Sequence, residues 1–370
     1  MIQIIGVGDI MPGGLLHGTD QQFVSEKVLA LLNRGDIRAG TLECAIGNTP
    51  DFSEEKMSRY ADVIYAPDVD LKRVKELNID VVSLANNHFF DLKECGARHT
   101  IQLLDEHGVK HCGAGMNIEE ARKPVVIEKE GKTIAFLAFC DIHKYMGFIP
   151  VATENNAGVN PLEEDYAVAE IQSAKKQYDY VVVMPHWGRE HTFETTIWCY
   201  QMANKMLKAG ADLILGGHTH RVQSVVNKHG KSIAFSMGNF CFPDRLIAPP
   251  LRVTFYPEEK VDLASLPVTY KYPEVKELTY KIWIPLARYG MIVSSTINNG
   301  RVKSKYHITH IDENNFIDFA ERNAEIERGL SKYHFLLKYT PYRYSIPLKN
   351  KMGALVNRFH STKKTKCNSF

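Results

Sequence analysis

Residues 211–220 read Ala-Asp-Leu-Ile-Leu-Gly-Gly-His-Thr-His. An apolar run of strand length ends in two glycines, then in two imidazoles two positions apart. In an extended turn, side chains at i and i+2 project to the same side, as a metal site requires of its ligands. Gly216 and Gly217 leave room for close approach. Four more runs end in the same kind of residue. Residues 3–8 run into Asp9, 38–42 into Glu43, 80–85 into Asn86-Asn87-His88, and 180–185 into His186. In an open α/β sheet, chemistry collects beyond the carboxyl ends of the strands. Five segments therefore aim Asp, Glu, Asn and His at one rim. Hard carboxylate and amide oxygens mixed with imidazoles suit divalent Mn, Fe or Zn, as one ion or a pair.

Around these blocks the pattern alternates strand and helix up to about residue 245. Helical spacing marks residues 22–33, 68–78, 93–107, 162–178 and 200–209, with Gly210 as a C-cap. Residues 133–139, 180–184 and 233–236 are apolar throughout, as strands covered on both faces are. The fold class is α/β. Beyond Pro243 the character changes. Residues 243–290 carry Pro249-Pro250, Pro257, Pro267, Pro273 and Pro285, which predicts an irregular insertion or short edge strands. Residues 291–297 and 302–308 flank Asn298-Asn299-Gly300, a hairpin signature. The expected organisation is one domain over 1–310 with a C-terminal extension over 311–370. Residues 311–330 read as helical. After Glu327 there is no acidic residue, and basic residues from Lys332 interleave with Tyr and Phe. That segment is either a solvated tail or a docking element for an anionic membrane surface or an acidic partner.

The chain has 370 residues, 44% hydrophobic and 24% charged, as an ordinary globular protein does. Its net charge of +2 lacks the basic surplus of a nucleic-acid binder. Seven cysteines with no CxxC motif predict buried free thiols in a reducing compartment. Met1-Ile2-Gln3-Ile4-Ile5 enters the first strand directly, and no apolar run is long enough to span a bilayer. The expectation is a soluble, cytoplasmic chain without signal peptide or transmembrane segment, peripheral at the membrane if the tail docks.

Residue types at the rim suggest roles. Gly8 would let the backbone turn sharply off its strand so that Asp9 faces a metal. An Asn oxygen can complete a metal shell without adding charge, although an Asn pair can equally cap a helix. A His beside it, held near the metal but unbound, can donate a proton to a leaving oxygen. Asp91 lies three residues after His88, near enough to set its tautomer. Gly238-Asn239-Phe240 reads as a further turn at the same rim. Arg59, Arg189 and Arg221 could meet an anionic substrate. His17, His99, His107, His111, His143 and His191 read as surface or core residues.

Taken together, these blocks resemble the calcineurin-like metallophosphoesterases, and more closely their CapA or poly-γ-glutamate capsule biosynthesis branch. The matching stretches are Gly8-Asp9-Ile10-Met11, Leu42-Glu43, Asn86-Asn87-His88-Phe89-Phe90-Asp91, His186-Trp187-Gly188-Arg189-Glu190, Gly217-His218-Thr219-His220 and Gly238-Asn239-Phe240. The resemblance implies a four-layer αββα sandwich of two mixed sheets. It implies Asp9, Glu43, Asn87, His186, His218 and His220 as metal ligands, Glu43 as the bridge, and His88 with Asp91 as the catalytic pair. It also implies metal-dependent hydrolysis or transfer on an anionic polymer or phosphorylated precursor. The alternative is a non-catalytic, polymer-binding subunit of a capsule synthase complex. Two departures stand out. Met11 occupies the position that the superfamily's Asp-x-His motif gives to a ligand, and a thioether suits a hard dication poorly. One metal position is expected to be weak or empty. The family's capsule proteins are commonly membrane-anchored, whereas this chain is expected to act on an intracellular intermediate or to dock through its basic tail.

Overall fold

The computed structural model describes residues 1–48, 62–142, 149–250, 252–270 and 275–339, with the backbone alone for 332–339. Arg59, His143 and the basic segment beyond Tyr339 lie outside the described residues.

The strand Ile2–Ile10 organises the first sheet. It pairs in parallel with Ile37–Leu42 and antiparallel with Tyr289–Asn298. Val81–Ser83 and Lys110–Cys112 extend the sheet on one side, and Arg301–Ile311 and Ile317–Phe319 on the other. The second sheet runs in the order Val225–Lys228, Lys231–Ala234, Leu213–Leu215, Tyr180–His186, Lys132–Cys140, Val125–Lys129.

Side-chain alternation assigns the layers. Ile134, Phe136, Ala138 and Cys140 join the core shared with the first sheet. Their neighbours Ala135, Leu137 and Phe139 pack instead with Ile171 of the helix Glu164–Gln177 and Met202 and Met206 of the helix Ile197–Ala209. In the first sheet, Gly6 faces the second: a Cβ there would lie 2.8 Å from Leu215 Cδ2. Ile5 points the other way, against Gly35 at the end of the helix Glu26–Leu32. The order is helices, sheet, sheet, helices, the αββα sandwich expected from the motifs. Two of the helices start at capping side chains. Ser25 accepts from the Val28 N–H at 3.3 Å, and Thr196 from the Cys199 N–H at 3.1 Å. Gly210, at φ 129°, ends the second of these.

The hairpin forms as its turn residues dictate, with Asn299 at φ 47° and Gly300 at φ 74°. It places Tyr289–Asn298 beside Ile2–Ile10. The proline-rich region contributes short strands. Arg245–Ala248, Arg252–Phe255, Val268–Thr269 and Thr279–Lys281 join Asp62–Val63 in a small five-stranded sheet.

Two local expectations are corrected. Residues 311–323 are not helical. Asp312 Oδ1 accepts from the backbone N–H groups of Asn314 and Phe316, which makes a tight turn, with Asn315 at φ 61°. The chain then enters Ile317–Phe319, and the helix begins only at Ala324, with Asn323 Oδ1 accepting from Glu325 and Ile326. Gly8 does not end its strand either, because pairing continues to Ile10. Glycine is needed there for close approach: a Cβ would stand 1.9 Å from the Gly238 carbonyl oxygen, which accepts from the Asp9 N–H at 2.8 Å.

No disulfide joins the described cysteines, and five of these six are buried. No helix of the described residues is long and apolar enough to cross a membrane.

Gly8→Ala tests the close approach. The overlap is with backbone, so relief requires moving two packed strands. The expected loss is about 1–3 kcal/mol or more, read as a lower midpoint in urea unfolding. An unchanged midpoint would show that the backbone around Gly238 yields freely.

Candidate metal centre

The two sheets bring their carboxyl-end residues together. Asp9 sits near the end of Ile2–Ile10, in register with Thr41 and Asn239 on its two parallel neighbours. Glu43 follows Ile37–Leu42, and its N–H donates to the Ile10 carbonyl at 2.8 Å. His186 is the last residue of Tyr180–His186 and bridges to Gly217. His218 and His220 follow Leu213–Leu215.

The expected extended turn at these two histidines is corrected. His218 has φ 88° and His220 φ 49°, both left-handed. Such backbone costs of order 1–3 kcal/mol per residue and persists because its surroundings hold it. The His218 N–H donates to Asp9 Oδ2 at 3.1 Å. A Cβ at Gly217 would lie 2.5 Å from Asp9 Oδ1, so the carboxylate packs directly against that backbone.

Two clusters of ligand atoms result, each within 4.8 Å: Glu43, His186 and His218 in one, and Asp9, Glu43 and His220 in the other. Glu43 is common to both. His186 Nε2 lies 3.3 Å and His220 Nε2 3.8 Å from Glu43 Oε1. The Asn87 side-chain oxygen is 2.7 Å from His186 Nε2 and so belongs with the first cluster.

The donor set fits a cation. Asp9 and Glu43 are fully buried, 0% exposed. Asp9 Oδ1, both Glu43 carboxylate oxygens, His186 Nδ1 and His218 Nδ1 have no hydrogen-bond partner among the described residues. Buried polar atoms are ordinarily paired, and a divalent ion would satisfy the oxygens together. The electrostatics agree. Burial, and then the neighbouring Glu43, raise the Asp9 carboxyl well above its ordinary range. Burial, with Glu190 adding to it, raises Glu43 to about 8. Burial holds His186, His218 and His220 well below the ordinary imidazole value, neutral and ready to act as ligands.

Supporting residues set the orientations. Asn239 Nδ2 donates to the Ala287 carbonyl at 2.9 Å, so its oxygen faces His220 Nδ1 at 2.8 Å as an acceptor. That places the proton on Nδ1 and leaves Nε2 free towards Glu43. Asn86 donates to the Leu42 carbonyl at 2.8 Å and accepts from the His88 N–H at 3.0 Å. It ties the Glu43 turn to the His88 turn, whereas Asn87 faces His186.

The His88 side chain is 12% exposed, with Nδ1 2.7 Å from Asp91 Oδ2. The same Asp91 oxygen accepts from the Ile64 N–H at 2.6 Å. Burial works against the charged ring, but the Asp91 carboxylate and then Glu43 outweigh it and raise the imidazole to about 9. Met11 is fully buried in the core, near Gly14. Of the basic residues considered for a substrate, Arg189 is exposed, and Arg221 is buried beneath Phe193, 5.7 Å from its ring.

The chain is similar to known proteins. Residues 3–244 match the family described as bacterial capsule synthesis protein PGA_cap. The PGA biosynthesis protein CapA of Bacillus subtilis is 30% identical over 241 residues, which are 64% of this chain and 62% of that protein. The capsule biosynthesis protein CapA of Bacillus anthracis is 32% identical over 249 residues, 64% of this chain and 58% of that one. The chain thus spans about three fifths of the length of these relatives. Among solved structures, a putative 5'-nucleotidase from Staphylococcus aureus aligns with a TM-score of 0.45 at 10% identity, covering 91% of this chain and 59% of that one.

The centre makes two predictions. Glu43 keeps a proton below about pH 8 in the metal-free protein, and a bound cation must displace it. Affinity for Mn should therefore rise with pH through neutrality towards about 8. Titration calorimetry in buffers of different ionisation enthalpy should show at least one proton released at pH 7, and a flat pH profile would contradict the assignment. Asn239→Leu should lower Mn affinity about 10–100-fold by freeing the His220 tautomer, measured by equilibrium dialysis on folded protein.

Proposed function

The chain belongs to the bacterial capsule synthesis family PGA_cap, and from that premise we propose that it acts in making a capsule or other surface polymer, as a metal-dependent hydrolase or transferase. Its substrate in this reading is an anionic polymer, such as poly-γ-glutamate or a polysaccharide, or a phosphorylated precursor. The observation that carries the proposal is the pair of ligand clusters sharing Glu43, with their buried unpartnered oxygens, beside the His88–Asp91 pair.

Asp9, Glu43, Asn87, His186, His218 and His220 are the residues that would hold one or two divalent ions, Mn, Fe or Zn. When bound, such ions lower the pKa of water and polarise a phosphoryl or carbonyl oxygen. The protein residues supply the rest. Among the described residues no Lys or Arg forms an ion pair with either carboxylate, and the charged His88 is the main group that counters burial at Glu43. His88, raised to about 9, carries a proton at neutral pH and is partly exposed, as Asn87 and Asp91 are. With Nδ1 held by Asp91, its Nε2–H is the proton available to a leaving oxygen. Asp91 is itself fixed by the Ile64 N–H, so the ring has one orientation. The neutral ligand histidines take no part in proton transfer.

A second reading, a polymer-binding accessory subunit of a synthase complex, draws on Met11, which puts an apolar core residue where the motif has a ligand.

Elemental analysis and phosphoester turnover separate the two. The wild type should retain metal, His218→Ala should lose it, and Met11→His should raise the content towards two ions per chain. His88→Ala should keep the metal and reduce turnover about 10²–10⁴-fold. No metal in the wild type and no turnover with added Mn, Fe or Zn would favour the accessory subunit.

A further inference from the structure

The residue between the two left-handed histidines is held by a pair of buried hydroxyls. Thr219 and Ser236 are both 0% exposed. Thr219 Oγ1 lies 2.9 Å from the Arg221 carbonyl oxygen and 2.8 Å from Ser236 Oγ. Ser236 Oγ lies 3.3 Å from the Gly238 nitrogen. Proton counting gives this row one direction. A backbone N–H can only donate, a carbonyl can only accept, and each hydroxyl has a single proton. The Gly238 N–H therefore donates to Ser236, the Ser236 O–H to Thr219, and the Thr219 O–H to the Arg221 carbonyl. Each hydroxyl is satisfied both as donor and as acceptor, as buried polar groups ordinarily are.

The row ends at the two segments that shape the metal centre. At one end the Thr219 hydroxyl reaches across His220, at φ 49°, to the carbonyl on its far side. The Thr219 carbonyl meanwhile accepts from the His191 N–H at 2.8 Å. At the other end Ser236 fastens Gly238, at φ 63°, whose carbonyl accepts from the Asp9 N–H at 2.8 Å. The next residue, Asn239, faces His220 Nδ1 at 2.8 Å. A closed circuit results, from His220 through Thr219, Ser236, Gly238 and Asn239 back to His220. Backbone bonds anchor only the ends of the histidine loop: the Gln223 N–H donates to the Ser236 carbonyl at 2.9 Å, and the Met237 N–H to the Gly216 carbonyl at 3.0 Å. Among the described residues, the hydroxyl pair and the Asn239–His220 contact are the hydrogen bonds that join the loop interior, 218–221, to 236–239. Asn239 can hold the His220 tautomer only while these two segments keep their spacing.

We propose that Thr219 and Ser236 are positioning residues of the metal centre, whose hydroxyl link keeps Asn239 against His220 and so keeps His220 Nε2 turned towards Glu43. This rests on reading Asp9, Glu43 and His220 as ligands of a divalent ion. The hydroxyl at 219 is what counts. Valine, of nearly the same shape, would leave the Ser236 O–H and the Arg221 carbonyl buried without these partners, whereas serine keeps both bonds.

Equilibrium dialysis with Mn and ring-nitrogen NMR of the histidine-labelled, metal-free protein test this on the full chain. Wild type and Thr219→Ser should show His220 as a single tautomer, protonated at Nδ1. Thr219→Val and Ser236→Ala should show a mixture of tautomers and bind Mn about 10–100-fold more weakly. The double variant should lose little more than either single one, because the link acts as a unit. A single Nδ1–H tautomer and wild-type Mn affinity in folded Thr219→Val or Ser236→Ala, with only the urea midpoint lowered, would overturn the proposal. So would losses that add in the double variant, since the two hydroxyls would then act independently. If Thr219→Val does not fold, Ser236→Ala reads the same link from its other end. If the wild type binds no Mn, the metal reading fails and the spectra decide alone: mixed tautomers in Ser236→Ala keep the positioning role, and an unchanged spectrum removes it.

Discussion

Two carboxylates, Asp9 and Glu43, are buried side by side, and among the described residues no Lys or Arg forms an ion pair with either. This is the constraint around which the molecule is arranged. Isolated, such a pair is unfavourable, because each charge is removed from water and repels the other. The protein answers by holding the carboxyl groups protonated in the metal-free state and by facing them with neutral imidazoles. A cation held by these groups would displace protons from the carboxyls, so that its binding would be coupled to proton release and to the stability of the sheet ends.

Much of the surrounding structure serves to keep these groups in place. Glycines at 8 and 217 let backbone and carboxylate approach more closely than any side chain permits. The left-handed backbone at His218 and His220 turns both rings inward at the cost of strain. Asn86 and Asn239 then fix, by hydrogen bonds to backbone carbonyls, the turn that carries His88 and the tautomer of His220. These are interactions of orientation, and their loss would loosen the ligands without removing any of them.

The small sheet adds a second charged region. Asp62 pairs there with Arg245 and Arg252. An aromatic layer of Phe242 and Trp283 separates them from His220.

The local chemistry of the chain determined the strand-end residues, the α/β alternation and the Asn299-Gly300 hairpin, because each depends on neighbours in sequence: apolar period, capping residues and turn φ. The motif order likewise pointed to the sandwich and to the six candidate ligands. Other features were decided only by residues far apart meeting in space. That Gly8 is needed for the Gly238 carbonyl, that Asn239 orients His220, and that Asp62 pairs with Arg245, 183 positions away, leave no periodic trace. Residues 311–323 looked helical because their composition allows a helix. The Asp312 turn and pairing with the sheet edge formed instead, through side-chain and backbone hydrogen bonds that a helix there would not make. The strain at His218 and His220 follows the same logic: an extended turn is the local preference, and the packed carboxylates behind it impose the left-handed one.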